Sequence, residues 1–132
     1  MADLDKKNVD KRDMIIFGEK YKQNKYLGGC RSFSDLDVDT LKQLIDMNFI
    51  DLEECQNFSP SVEEFYEFMK SHPCIICHGY AVSPERSDYR VSIEGIEYCG
   101  TVTMEMLVDF VDMFREADEF SVSENGLYCW YN

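Results

Sequence analysis

The run Cys74-Ile75-Ile76-Cys77-His78 has the C-x-x-C-H spacing of c-type haem attachment, and its C-x-x-C pair is half of many zinc and dithiol redox sites. For the zinc and dithiol uses both sulfurs must converge. In an extended segment side chains alternate between faces, so residues three apart point away from each other and cannot share a metal or a disulfide without a local turn. Haem attachment further requires export and a second axial ligand, and a thioredoxin-like thiol requires a helix N-terminus to lower its pKa. A structural zinc takes four ligands, whereas Cys30, Cys55 and Cys99 stand singly. These cysteines read as thiols that pack like small hydrophobes, so no metal ligands are assigned and no haem or other cofactor is expected. Asp46-Met47-Asn48-Phe49-Ile50-Asp51 begins like a calcium loop, but Ile50 and Asp51 stand where a ligand and the loop glycine belong.

The chain also lacks a nucleophile elbow, a phosphate-binding loop and a dinucleotide fingerprint, and Gly28-Gly29 alone makes no cradle. No catalytic residue is assigned. The enzymatic alternative would rest on a pair formed by Cys77 or His78, yet a histidine in an apolar run reads first as a hydrogen-bonded core residue.

Three groups of residues remain as places for a partner to dock. Arg86 and Arg90 are the only basic residues between Lys70 and Arg115, and they flank a turn with Tyr89; pairing of Arg90 with Glu85 or Glu94 is the competing local use. Tyr128 and Trp130 are amphipathic aromatics of the kind enriched at interfaces, with cover by the N-terminal arm as the competing role. Asp109 and Asp112 fall on the polar side of a helical pattern and belong to an acidic surface.

That surface follows from the charge distribution. The chain carries 13 basic and 26 acidic residues, a formal charge of −13. Residues 1–34 hold eight basic and five acidic groups, 35–70 two and ten, and 101–132 one and seven. An acidic body repels nucleic acid and anionic lipid and favours basic proteins. Residues 59–71 as a DNA-reading helix would set Glu63, Glu64 and Glu67 against phosphates with only Lys70 in support, so direct nucleic-acid binding is not expected. No stretch approaches the roughly 20 apolar residues of a membrane span, and the polar start carries no export signal. The expectation is a bacterial-style cytoplasmic protein with reduced thiols and no membrane partner. No oligomeric state follows from composition.

The elements that position these residues belong to a 132-residue chain of 15.5 kDa, which has room for one domain. Residues 1–34, with scattered aromatics Phe17, Tyr21, Tyr26 and Phe33, read as an arm packed on the body, in which 14–17 could add an edge strand. Residues 35–132 form the domain. Val38, Leu41, Leu44 and Ile45 predict a helix over about 37–48. Val62, Phe65, Tyr66 and Met69 predict a second, capped either by Ser59 with Pro60 at the first position or by Ser61 with Glu64, and ended at His72-Pro73. The apolar run 74–82 and the alternation of Tyr89, Val91 and Ile93 predict a hairpin, with a β-bulge where the parity shifts at Gly95. Met104, Leu107, Val108, Val111 and Phe114 predict the buried face of a helix over about 103–117. Asn125-Gly126 predicts a type I′ hairpin that pairs Val122 with Cys129 and Phe120 with Tyr131.

The expected architecture is α+β, a two-layer sandwich of about four antiparallel strands in the order α-α-β-β-α-β-β with helices mainly on one face. The expected function is a binding module for a basic protein partner, as inhibitors and immunity proteins are. A small Cys/His enzyme and a non-catalytic structural accessory domain are the alternatives.

Overall fold

A computed structural model describes residues 3–18, 26 and 28–132. In chain order the elements are α1 (Val9–Phe17), β1 (Cys30–Leu36), α2 (Val38–Asp46), α3 (Val62–Ser71), β2 (Ile76–Val82), β3 (Val91–Cys99), α4 (Met104–Phe114), β4 (Glu119–Ser123) and β5 (Gly126–Trp130). The strands form one antiparallel sheet in the order β1-β2-β3-β5-β4. The fold is thus α+β as expected, with five strands rather than about four, and with four helices among the described residues.

The extra strand comes from the arm. The edge strand is not at 14–17, which lie in α1, but at Cys30–Leu36, and it crosses the boundary drawn at residue 34. Its inward positions are filled by Arg31 and Phe33, after which the register shifts and Leu36 turns inward. A charged residue at an inward position hides the alternation from a hydrophobic count. Here the Arg31 guanidinium lies 3.6 Å from the ring centroid of Phe17, so α1 covers it. Tyr21 lies outside the described residues.

Helix boundaries follow their caps. Asp37 accepts a hydrogen bond from the Thr40 N–H at the start of α2, and Thr103 from the Met106 N–H at the start of α4. For α3 it is Ser61, with Glu64 returning to the Ser61 N–H, that forms the capping box. The helices pack on the sheet face that carries Cys77, Ala81, Val91, Ile93, Ile96, Leu127 and Cys129. Within that core Phe65 stacks on Phe114 at 5.5 Å, and Phe68 meets Phe114 edge-on at 4.9 Å.

Of two register readings, the bulge holds and the last hairpin is corrected. In β3 the bulge is present: pairing moves from His78 opposite Gly95 to Gly79 opposite Ile93, leaving Glu94 as the extra residue. In the last hairpin the turn is one residue earlier than Asn125-Gly126. Val122 pairs with Leu127 and Phe120 with Cys129, so Glu124 and Asn125 form the loop. Neither Asn125 nor Gly126 has a positive φ, so the turn is not type I′. The loop carbonyls are held from outside the hairpin, Glu124 O by the Val102 N–H and Asn125 O by the Gly100 N–H, each at 3.0 Å. Because the register moved by two positions, the faces are those expected: Phe120, Val122, Leu127 and Cys129 on one, Ser121, Tyr128 and Trp130 on the other.

Candidate functional site

The structure distributes the sequence-predicted residues over three separate places. Arg86, Tyr89 and Arg90 stand at the end of the β2–β3 hairpin. Arg86 grips Asp88 bidentately, at 2.8 and 2.6 Å, and its Nη1 lies 3.3 Å from both Gly28 O and Cys30 Sγ. Arg90 donates to Asp88 at 2.9 Å, to Ser92 Oγ at 3.0 Å and to Tyr80 Oη at 2.9 Å, with Glu54 at 3.9 Å. The local pairing expected with Glu85 or Glu94 is made with Asp88 instead. Hydrogen bonds from Arg86 and Arg90 hold the Asp88 carboxyl below its ordinary pKa. Lys6 and Arg12 both lie over the Tyr89 ring, at 5.6 and 4.7 Å from its centroid, and its hydroxyl donates to Asp5 O at 2.8 Å.

Asp88, Tyr89 and Arg90 border a cleft of about 710 Å³ together with Lys6, Asp51, Glu54 and Gln56, whereas Arg86 does not line it. Tyr80 donates to Gln56 Oε1 at 2.8 Å, and burial raises the pKa of the Glu54 carboxyl. Arg90 spends its donors on the protein's own acceptors, and the cleft lining has Asp3, Asp51, Glu54 and Asp88 against Lys6 and Arg90, so it is acidic rather than cationic.

Tyr128 and Trp130 lie on the sheet face away from the helices, both half-buried. Tyr128 stacks on His78 with centroids 5.3 Å apart, and the His78 Nε2 lies 3.0 Å from Cys129 O. Burial lowers the pKa of His78, so the neutral ring is favoured. Cys77, one residue earlier, faces the core and is fully buried, and burial pushes its thiol up. Cys74 is exposed in the turn before β2. The three members of the C-x-x-C-H run thus occupy three different environments. A thiolate on Cys77 is disfavoured, and His78 is on the opposite face from it.

Asp109 and Asp112 project from α4 beside α3. Together with Glu67, Phe68, Ser71, His72 and Met113 they border a groove of about 400 Å³. His72, read from sequence only as a helix stop, lies 3.0 Å from Asp109 through its Nε2. A second depression of about 290 Å³ shares Asp112 and Met113 and adds Glu64, Glu116 and Phe58. Phe58 is 99% exposed. Sequence reasoning missed Phe58 because it sits between two helices without a periodic apolar partner; its signal is a large aromatic flanked by Asn57 and Ser59-Pro60.

Among the described residues, no group of three or more His, Cys, Asp or Glu side chains is placed to hold a metal ion, and no helix is long and apolar enough to cross a membrane. Comparison of the chain with protein-family models, with curated proteins and with solved structures gives no match.

Proposed function

We propose that the protein is a binding module whose α3–α4 face receives a basic segment of a partner protein. The observation that carries this reading is the pairing of opposites within one surface. Carboxylates of Glu64, Glu67, Asp109, Asp112 and Glu116 share the two depressions with the exposed Met113 and Phe58 and the edge of the buried Phe68. Long-range attraction to such a surface accelerates encounter with a positively charged partner, while a large exposed aromatic supplies the apolar anchor that charge alone lacks. Trp130 lies on the other face of the sheet and is not part of this surface. Arg115 lines the second depression among these carboxylates, and Lys70 is within 3.3 Å of Glu67.

Isotope-edited NMR titration with two synthetic probes, a decalysine and an amphipathic Lys/Leu peptide, tests it. The expected result is saturable shifts centred on Phe58, Glu67, Asp112 and Met113, tighter for the amphipathic peptide. Phe58→Ala should then weaken that peptide several-fold, and Glu67→Lys with Asp112→Lys should abolish the interaction with both. Shifts spread over all acidic residues, or centred on the arginine cleft, would overturn the proposal.

A further inference from the structure

Helix α4 has more apolar surface than its own core uses. The residues it buries are Met106, Phe110 and Phe114. Met104 and Val108, expected from their spacing to face the core, are 73% and 55% exposed, and Leu107 and Val111 are only half-buried. Positions 104, 107, 108 and 111 form a second stripe at the i, i+3, i+4, i+7 spacing, adjacent to the first. The stripe runs out over β4. Met104 and Leu107 border a depression of about 340 Å³ with Val102 and Val122, while further along the helix Phe110 stacks on Phe120 at 5.2 Å.

β4 is a sheet edge, and among the described residues its outer side has no paired strand. The other edge, β1, carries Arg31 and Asp35 and is broken by a register shift between Phe33 and Leu36. β4 reads Glu-Phe-Ser-Val-Ser, with an unbroken register to β5, no proline and no lysine. Val122 is 41% exposed.

We infer that a second copy of this chain pairs here, β4 against β4, to make a continuous ten-stranded sheet with the two α4 stripes in contact. The strand selects this occupant because it is self-complementary. An antiparallel pair must keep core-facing residues opposite core-facing residues, and a two-fold axis through Ser121 is the register that uses all five residues. Phe120 then meets the partner copy's Val122, and Glu119 meets Ser123 rather than another carboxylate. The same axis passes near Leu107 and Val108, the midpoint of the stripe, because α4 runs antiparallel to β4. Strand register, charge matching and helix stripe therefore share one dyad. The stripe itself is apolar, with Glu105 and Asp112 only at its flanks, and this inference does not rest on the reading of the α3–α4 face. Five strand residues plus the stripe and its flanks amount to roughly half of the 20–30 residues a side of a standard interface. The dimer should accordingly be reversible, with a Kd on the order of micromolar.

Sedimentation equilibrium from low micromolar to several hundred micromolar, with reductant present, should give a monomer–dimer equilibrium. Val122→Lys and Val108→Glu, both at exposed positions and checked for folding by circular dichroism, should each weaken it at least tenfold. Register is tested separately: on mild oxidation with oxidised glutathione, Ser121→Cys should give a dimer linked through position 121, since residues on the dyad face each other at a Cα separation of about 4.5–5.5 Å. Ser123→Cys should not link to itself. A monomer throughout the concentration range, a dimer indifferent to both charge insertions, or linkage through position 123 in place of 121 would overturn the inference.

Discussion

At the scale of single residues, close backbone approach and burial decide more than chemistry does. A type I′ turn at Asn125-Gly126 asks for a positive φ that Gly126 does not have; a Cβ there would instead sit 2.9 Å from Tyr98 O, across the β3–β5 pairing. Gly126→Val should still destabilise the fold by about 1–3 kcal/mol, through overpacking rather than backbone strain. Gly95 is tighter. A Cβ there would meet Cys129 O at 1.9 Å, and backbone cannot swing aside as a side chain does. Gly95→Ala should therefore lower the urea midpoint more than Gly126→Ala does, and the reverse order would refute the close-approach argument.

His78 supplies a pH test at the same scale. Because burial lowers its folded-state pKa below the unfolded value, the unfolded chain takes up the proton first as pH falls. The stability held above the ordinary histidine pKa of about 6.5 is lost as pH drops through the folded value. Glu54 and Glu94, whose pKa values burial raises, act in the opposite sense in the carboxylate range. Urea midpoints at pH 7.5 and 5.5 should show a loss in the wild type that His78→Gln reduces. Equal losses in both proteins would mean that His78 is not the titrating group.

At the scale of elements, the least regular helix is held by the most buried charge. α1 has little amphipathic character, and it is anchored by Arg12, which is 0% exposed. Arg12 pairs with Asp13 at 2.9 Å, donates to Val82 O at 3.0 Å and to the Tyr26 hydroxyl at 2.6 Å, while Tyr26 in turn donates to Asp13. Burial, and the hydrogen bond to Asp13, push the Tyr26 hydroxyl up to about 12. Arg12→Ala leaves Asp13 buried without its cation and should cost about 3–5 kcal/mol in chemical denaturation. Arg12→Met with Asp13→Leu, which removes both charges, should cost markedly less. Equal costs would show that the network's charges do not matter to α1 docking.

The same scale shows what could be read from the chain. Capping residues at Ser61, the proline after His72, and the parity shift at Gly95 are local signals, and each produced its helix end or bulge. What failed was non-local. β1 is hidden because Arg31 stands at an inward position, where Phe17 of another element covers it. The hairpin register was misread because the carbonyls of Glu124 and Asn125 are bound by residues 100 and 102, which override the turn's intrinsic preference. For α4 the period was right and the face was rotated: the i, i+3, i+4, i+7 pattern marks an apolar stripe without saying against what. The candidate site was legible only in part. Asp109 and Asp112 came from charge patterning, whereas His72 and Phe58 join them through tertiary packing that no spacing announces.

At the scale of the whole molecule, a charge of −13 acts on the two proposed surfaces with opposite sign. A basic segment approaching the α3–α4 face is attracted, and that attraction weakens as the Debye length shrinks from about 10 Å at 0.1 M to about 3 Å at 1 M salt. Two copies approaching through β4 and α4 repel, because Glu105 and Asp112 flank the stripe and each copy carries the full acidic field. Salt screens this repulsion and leaves the apolar contact largely intact. Raising salt from about 0.05 to 0.5 M should therefore lower affinity for the amphipathic Lys/Leu peptide by roughly tenfold or more, while self-association measured by sedimentation becomes tighter. Tightening of both would mean that the peptide binds through its leucines on the α4–β4 edge, and weakening of both would mean that the copies associate through the basic arm of one and the acidic body of the other.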